Sequence, residues 1–565
     1  MNRSEIIAAL TMLLFLAACT QQPTKTPAPT STVAATPIEA QPGPTSHPGL
    51  PLPTERGAFF AGSGVCAACH TNIVDESGAD VSNDSYWRSA MMANAAREPY
   101  WQANVRKEVL SNPDYQAEVE DKCATCHMPM AHFTIAAQGG QGKMFGNGFL
   151  SQENELHILA MDGVSCTVCH QIEETNLGQP ESFSGHFQVD TTRPYGERLI
   201  HGPYPVDQAL VPVMQGASGF IPNEGPHLKQ SELCSTCHTL YTPTVDVDTN
   251  EIVGEFPEQT PYREWLHSEY RETQTCQDCH MPKAQGGAVL SITGGEPRSP
   301  FSKHVFVGGN VYMLNILKHF GEELQVTASA ELFDATIART LDQLQNRTAN
   351  LTVQARPSGS NLTVEVAIQS LVGHKFPSGF PSRRAWVHVV VRDRDGQVVF
   401  ESGAVTQDGS IVGNDNDIDP IRYEPHYQRI TSPDQAQIYE AIMENTRGEV
   451  TTVLLQGAGY LKDNRLLPRD FDKSAVPNDI VVTGKAVEDS DFVGGGDTIL
   501  YVIGLQNAPG PYSVVVELLY QSIGYRWAQD LCQYEAPEIA RFLRYYESMP
   551  NVPVVIAREE IEVGK

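Results

Sequence analysis

The chain has 565 residues, 41% of them apolar, which is enough for at least two globular domains and too much for a disordered chain. Its 39 lysine and arginine residues are outnumbered by 68 aspartate and glutamate residues, giving a formal net charge of -29 at pH 7. A chain this acidic is not expected to bind nucleic acid.

Residues 1–19 have the pattern of an export signal. Arg3 gives a short basic start, an apolar core follows as far as Leu16, and small residues lead to Cys19. The apolar run is too short to span a bilayer. Residues 16–19 resemble the lipobox of bacterial lipoproteins, which implies a lipid on Cys19 and anchorage at the cell envelope, facing the periplasm or the cell exterior. The alternative is an ordinary soluble export signal with a chance cysteine.

Residues 20–55 differ in composition from the rest of the chain. They are rich in Pro, Thr, Ala, Ser and Gln and contain few large apolar residues. Such a segment cannot bury enough surface to fold. We therefore predict a disordered tether between the membrane anchor and the folded part.

Residues 56–327 carry five CxxCH motifs, which hold ten of the 12 cysteines. The motif residues are Cys66, Cys69 and His70; Cys123, Cys126 and His127; Cys166, Cys169 and His170; Cys234, Cys237 and His238; and Cys276, Cys279 and His280. Zinc sites and disulfides also use CxxC pairs, but neither requires a histidine directly after the second cysteine. The repeated histidine predicts five covalently attached c-type haems.

The spacing suits that chemistry. Both thiols add to the vinyl groups of a haem, and the histidine that follows lies under the iron as an axial ligand. The five motif histidines are therefore the predicted proximal ligands. Because the haems replace much of a conventional core, we expect a loop-rich, mainly α cytochrome domain over 56–327.

The occupant of the second axial position decides whether a haem only relays electrons or can bind a substrate. In this half of the chain we favour His227, shortly before a motif, and His304, after the last motif, as distal ligands. The other candidate histidines are His132, His157, His186, His201, His267 and His319. The candidate sulfur donors are Met91, Met92, Met130 and Met144, although methionine more often packs around a haem.

The chain is similar to the multihaem c-type cytochromes of the cytochrome c-552/c-554 group over roughly residues 56–330. The resemblance is carried by the clustered CxxCH motifs and by their surroundings in 162–166 and 276–282. It implies closely packed haems and a function in electron transfer. Five haems and a large C-terminal extension depart from that group, so haem order and redox partner do not carry over.

Beyond the motifs the sequence texture changes. Residues 328–350 predict a connecting helix, and 351–535 predict an all-β, immunoglobulin-like sandwich, because short alternating runs are separated by Gly, Pro and Asp turns. The runs are 351–355, 362–368, 385–391, 398–401, 451–455, 480–483, 498–503 and 513–519. Residues 536–565 are expected to form a helix over 537–549 and a tail.

One loop of the second domain, 373–379, places His374 between glycine and proline-rich turns. A histidine held in this way can face the cytochrome domain, and a loop of this kind recurs in similar multihaem proteins. We predict His374 as a third distal ligand, the alternative being a solvated turn residue. His426 is a candidate of the same type, and His388 is expected to be a strand residue.

These features favour an electron-transfer protein over a catalyst. Electrons would enter at one exposed haem edge, pass along the five haems and leave to another protein. The acidic composition predicts redox partners with a basic docking face and encounter rates that fall with salt. The alternative is a multihaem oxidoreductase that reduces or oxidises a small nitrogen or sulfur compound at a haem with an open axial position.

Overall fold

The computed structural model describes residues 47–564. The expected signal peptide, the expected lipidation site Cys19 and the tether as far as residue 46 lie outside the described residues. In the described range no helix combines the length and the apolar character needed to cross a membrane.

Short helices joined by long loops surround the cysteine motifs. The helices are α1 (Ser63–Ala67), α2 (Asn83–Trp87), α3 (Pro99–Ser111), α4 (Gln116–His127), α5 (Pro129–Ala136), α6 (His157–Met161), α7 (Cys166–Cys169), α8 (Val211–Ser218), α9 (Ser231–Ser235), α10 (Pro261–Leu266), α11 (Cys276–His280) and α12 (Val311–His319). Proline opens α3, α5 and α10, where its missing N–H leaves no helical hydrogen bond unmade.

The same half contains two small sheets that the sequence reasoning did not anticipate. Strand β1 (Arg198–Gly202) pairs in parallel with β2 (Phe220–Glu224), and β3 (Leu240–Val245) pairs antiparallel with β4 (Ile252–Gln259). Phe256 of β4 is fully buried and packs with Met443 and Trp527. The β3–β4 hairpin therefore fastens the motif-bearing half to the second half of the chain.

Helix α13 (Ala330–Arg347) lies within the segment expected to connect the two halves. Its N-cap residue is Ser329, whose side chain accepts a hydrogen bond from the Leu332 N–H. Phe333 packs into an apolar cluster with α12, whereas Leu344 joins the core of the sheets. One helix thus contributes to both cores.

The second half is built on two larger sheets. Its strands are β5 (Ala349–Ser358), β6 (Asn361–Ser370), β7 (Arg384–Arg392), β8 (Val398–Ser402), β9 (Arg429–Ile430), β10 (Ile438–Glu444), β11 (Val450–Thr451), β12 (Gly459–Asp463), β13 (Gly496–Gly504), β14 (Tyr512–Gln521) and β15 (Val554–Val563). One sheet has the order β5-β6-β13-β9; the other has the order β11-β10-β7-β14-β15, with β12 beside β10 and β8 beside β7. Helices α14 (Asp415–Ile418), α15 (Tyr525–Asp530) and α16 (Pro537–Ser548) complete this half.

The two sheets share one apolar core. Alternate residues of four strands are buried in it, namely Leu362, Val364 and Val366; Val387, Val389 and Val391; Ile499, Tyr501 and Ile503; and Val514, Val516 and Leu518. This is the two-residue period of side chains along a strand. The finer assignment to an immunoglobulin-like sandwich stays a prediction.

Two segments expected to be strands are mostly not. Residues 451–455 contain only the end of the short β11 and the start of a 3-10 turn at Leu454–Gln456. Residues 480–483 begin at the last residue of a 3-10 turn, Asn478–Ile480. Leu455 and Ile480 are nevertheless buried. An apolar run marks burial, and a run this short does not distinguish a strand from a buried turn.

The C-terminal tail also differs from expectation. After α16 the chain returns as β15, which pairs antiparallel with β14 along its length. Val554, Ile556 and Val563 are buried in the shared core. The sheet-bearing half therefore extends beyond residue 535, because the edge of β14 and the core beneath it accept the apolar residues of the tail.

His388 lies on β7 between two carboxylates. Its Nδ1 is 3.2 Å from Glu517 Oε2, and its Nε2 is 3.1 Å from Glu401 Oε1. Burial alone would lower the pKa of His388, but the hydrogen bonds to Glu401 and Glu517 outweigh burial and raise it. The imidazolium form is therefore favoured by folding.

A raised pKa in the folded state makes this stabilisation dependent on pH. The contribution of charged His388 is complete below the unfolded pKa of about 6.5 and is lost as pH rises through the folded pKa. We expect His388→Gln to lower the thermal unfolding midpoint more at about pH 6 than at about pH 9. An equal loss at both pH values, measured by circular dichroism, would contradict this prediction.

Candidate functional site

The five CxxCH motifs lie on short helical turns. Helices α1, α4, α7, α9 and α11 each contain at least the first cysteine of one motif. Residues three and four apart share one face of a helix, so the two cysteines and the histidine of a motif project to the same side. All ten motif cysteines are partly buried. Each motif therefore presents two thiols and one imidazole together.

Four motif histidines are oriented by the same kind of hydrogen bond. Their Nδ1 atoms lie near backbone carbonyl oxygens: His70 at 2.7 Å from Leu290, His127 at 3.1 Å from Ala95, His170 at 2.6 Å from His201 and His280 at 2.6 Å from Val307. A carbonyl oxygen can only accept, so Nδ1 carries the proton and Nε2 keeps its lone pair. This is the tautomer of a metal-binding imidazole.

Burial keeps the imidazoles of two motifs uncharged. It lowers the pKa of His127 and of His238 to about 4. Both rings are therefore neutral near pH 7, which is the form that binds a metal ion.

Trp101 supports the ring of His127. The two ring centres are 4.2 Å apart and the planes meet at 4°, so the indole stacks on the imidazole. Trp101 could not be recognised from the sequence, because the sequence of a helix does not show which distant residue a tryptophan in it contacts. Its place on α3 fixes the ring of the second motif from one side.

Two motif histidines face a second imidazole. The ring centres of His170 and His304 are 6.3 Å apart with planes at 17°, and those of His280 and His374 are 6.3 Å apart with planes at 11°. Two imidazoles on opposite sides of one metal ion have centres about 6 Å apart, since each metal–nitrogen bond is about 2.0 Å and each nitrogen lies about 1.1 Å from its ring centre. The separation of the two rings in each pair is therefore the one expected of two imidazoles bound to a single metal ion.

The surroundings of His304 and His374 agree with this geometry. Burial lowers the pKa of His304 to about 3, with His170 and His70 as smaller causes. The Nδ1 of His374 is 3.0 Å from the Lys375 carbonyl oxygen, which leaves the lone pair on Nε2. The structure thus brings two of the three predicted distal histidines, His304 and His374, close to a motif histidine.

His227 lies in a different setting. Its Nε2 is 2.9 Å from the Ile172 carbonyl oxygen, and its Nδ1 is buried with no hydrogen-bond partner among the described residues. Its ring meets that of His201 with centres 5.1 Å apart and planes at 71°. Nδ1 is the nitrogen left for a metal, and the assignment of His227 as a distal ligand stays a prediction.

Several other candidate histidines are hydrogen-bonded. His132 Nε2 is 3.1 Å from Asp121 Oδ1, His157 Nδ1 is 2.9 Å from the Phe149 carbonyl oxygen, and His267 Nδ1 is 2.8 Å from the Arg263 carbonyl oxygen. His157 and His267 therefore keep the Nε2 lone pair that ligation needs. Met130 and Met144 are fully buried in apolar clusters, as expected for packing.

Both ring nitrogens of His426 are occupied. Its Nε2 is 3.0 Å from Asp489 Oδ2, and its Nδ1 accepts from the amides of Gln437 at 2.8 Å and Asn464 at 3.0 Å. The oxygens of both amides accept backbone N–H groups, which fixes the amides as donors towards the ring. His426 is therefore a structural residue and leaves no nitrogen for iron.

Thiols of different motifs lie side by side. Cys166 has Cys66 as its neighbour, Cys126 has Cys237, and Cys234 has Cys276, and in each case the neighbouring thiol helps to raise the pKa of the first cysteine. Burial, and then the nearby Cys237, raise the pKa of Cys169 to about 12. The five motifs thus form one connected group: the first lies beside the third, the third beside the fourth, and the fourth beside both the second and the fifth.

No family model matches this chain, and no curated protein matches it. Among solved structures, the chain is similar to the crystal structure of a penta-heme cytochrome c552 from Thermochromatium tepidum. The sequence identity is 16% and the TM-score is 0.49, with 90% of this chain and 100% of that chain covered.

Proposed function

We propose that this chain is an electron-transfer c-type cytochrome with five haems. The observation that carries the proposal is the pairing of motif histidines with a second imidazole, His170 with His304 and His280 with His374, each at 6.3 Å. The adjoining cysteine pairs supply the thiols for covalent attachment. A bound haem supplies one-electron oxidation and reduction at its iron.

The cysteines and the histidines would have different roles in holding the haems. Each motif cysteine would form a thioether bond as its thiol adds across a vinyl double bond, the sulfur bonding one carbon and the proton going to the other. The motif histidines would bind iron, and in four of them, His70, His127, His170 and His280, a carbonyl oxygen holds Nδ1 and leaves Nε2 for the metal. His304 and His374 would complete the coordination of two irons, which closes those positions to substrates and keeps the potential below that of a His/Met pair.

The contacts between motifs support a continuous electron path. The third and fourth motifs lie inside the group, whereas the first, second and fifth each adjoin one other motif through a thiol pair. Electrons would therefore enter and leave at the first, second or fifth site. The neighbouring thiols would keep the haems of adjoining motifs close to one another.

Removal of one cysteine pair tests the attachment sites. In a host with c-type haem attachment machinery we expect five haems on the wild-type protein and four on the variant Cys276→Ala/Cys279→Ala. Intact mass and the pyridine haemochrome spectrum measure the number. Met281→Leu, next to the same motif, is the control and should keep five. A colourless wild-type protein, or an unchanged number in the double variant, would contradict the proposal.

We also propose that the protein is exported, anchored by a lipid on Cys19, and paired with redox proteins that have a basic docking face. The lipobox-like segment supports the anchor, and the net charge of -29 supports the choice of partner. Mass spectrometry of the mature N-terminus tests the anchor. A mature protein that begins at an unmodified residue other than Cys19 would exclude a lipid anchor at Cys19.

The shared core of the two sheets supports an immunoglobulin-like sandwich in the second half of the chain. An experimental structure would test this proposal.

Salt should slow the exchange of electrons with a basic partner. We expect the second-order rate constant with a small basic cytochrome to fall roughly tenfold or more between about 10 and 200 mM ionic strength, because salt screens the attraction between unlike charges. Stopped-flow spectroscopy measures the rate. Reduction by an uncharged small molecule is the control and should change little. A salt-independent rate with the basic cytochrome would exclude charge steering.

A further inference from the structure

The loop that carries His374 is fastened by buried charges. Lys375 is fully buried, and its Nζ donates to Asp463 Oδ2 at 2.7 Å and to the Val481 carbonyl oxygen at 3.0 Å. Arg465 Nε is 2.8 Å from Asp463 Oδ1. These contacts fix the side chain of the residue directly after His374.

Glu264 closes this group from the other half of the chain. It lies on α10 of the motif-bearing half and is fully buried. Its Oε2 accepts from the backbone N–H of Lys375 at 2.9 Å, and its Oε1 is 2.9 Å from Arg465 Nη2. Glu264, Arg465, Asp463 and Lys375 thus form a ring that the Lys375 backbone N–H closes, and it contains equal numbers of acidic and basic side chains.

The hydrogen bonds of Lys375 connect this ring to His374. Glu264 holds the Lys375 N–H, and the Lys375 carbonyl oxygen in turn lies 3.0 Å from His374 Nδ1. The direction of the His374 ring beside His280 therefore depends on where the Lys375 backbone is held. A free loop with glycine at residue 373 would not fix that direction.

We propose that Glu264 is a positioning residue that holds His374 opposite His280 as the second axial ligand of the fifth haem. The inference rests on the function proposed above. Among the described residues, Glu264 makes no hydrogen bond to the imidazole of His374 or His280. It acts through the Lys375 backbone. This role requires a carboxyl or amide oxygen in the side chain of residue 264, because that oxygen must accept the hydrogen bond from the Lys375 N–H.

Spin state measures this role directly. In the purified five-haem protein we expect Glu264→Ala to convert up to one haem in five from low-spin to high-spin, seen by low-temperature EPR and by cyanide binding at that haem. Glu264→Gln keeps an acceptor oxygen and should stay low-spin. Glu269→Ala removes a partly exposed ion pair with Arg469 nearby, 3.1 Å long, and serves as the control.

A second variant covers the case in which Glu264→Ala does not fold. Glu264→Leu/Arg465→Met removes the acceptor without leaving an unpaired buried charge, because Lys375 and Asp463 still pair. The same high-spin fraction is expected. If both variants stay fully low-spin while the wild type holds five haems, the inference is overturned and the proposed function stands. A wild type without haem would overturn the proposed function itself.

Discussion

Replacing His374 with alanine should open one iron. We expect one of the five haems to change from low-spin to high-spin and to bind cyanide, because His374 is the ring that faces His280 at 6.3 Å and alanine offers no ligand atom. Low-temperature EPR counts the haems in each spin state. The midpoint potential of that haem should also rise, since loss of an imidazole destabilises the oxidised iron.

His388→Gln is the matched control, because His388 is also a partly buried histidine of the second half but bonds to Glu401 and Glu517. It should leave all spin states unchanged. A His374→Ala protein with five low-spin haems would show that another group binds the fifth iron. Ready cyanide binding by the wild type would instead favour the oxidoreductase alternative, which needs an open iron.

Loss of Asp417 should strongly destabilise the sheet-bearing half. Its carboxylate accepts from Arg384 Nη1 at 2.7 and 2.9 Å, and both side chains are almost fully buried. Asp417→Ala leaves the Arg384 guanidinium without its counter-charge, so we expect a loss of about 3 to 5 kcal/mol in the free energy of unfolding. Guanidinium unfolding followed by circular dichroism measures the change.

Two further variants separate the buried charge from the general effect of losing an ion pair. Asp395→Ala breaks an exposed pair with Arg394, 3.8 Å long, and should cost less than about 1 kcal/mol. Arg384→Met/Asp417→Leu removes both charges and should be less destabilising than Asp417→Ala alone. A single variant no less stable than the Asp395→Ala control would mean that the buried pair contributes little.

Charged residues that hold the two halves together could not be found from the sequence. Glu264, Lys375 and Asp463 look like ordinary polar residues in their own segments, and only folding brings them to within hydrogen-bonding distance. Their partners lie on other elements, far along the chain. A pattern of residue types along one segment cannot reveal such a group.

Strand formation could not be predicted from the sequence at β15 or at the two short apolar runs near residues 451 and 480. Alternation along β6, β7, β13 and β14 was readable because the two-residue period is a local property of a half-buried strand. Whether a short apolar run becomes a strand depends on whether a neighbouring strand has unpaired backbone groups along one edge. β14 offers such an edge to Val554–Val563, whereas residues 454–456 and 478–480 fold as 3-10 turns.

The sequence is sufficient to predict the five attachment motifs and their proximal histidines, because the two cysteines and the histidine of a CxxCH motif lie within about one turn of helix. It also indicated His304 and His374 as distal candidates. The folded structure was needed to show that His304 lies beside His170, that His374 lies beside His280, and that both ring nitrogens of His426 are occupied. Those outcomes depend on packing between segments distant in sequence, which no local spacing specifies.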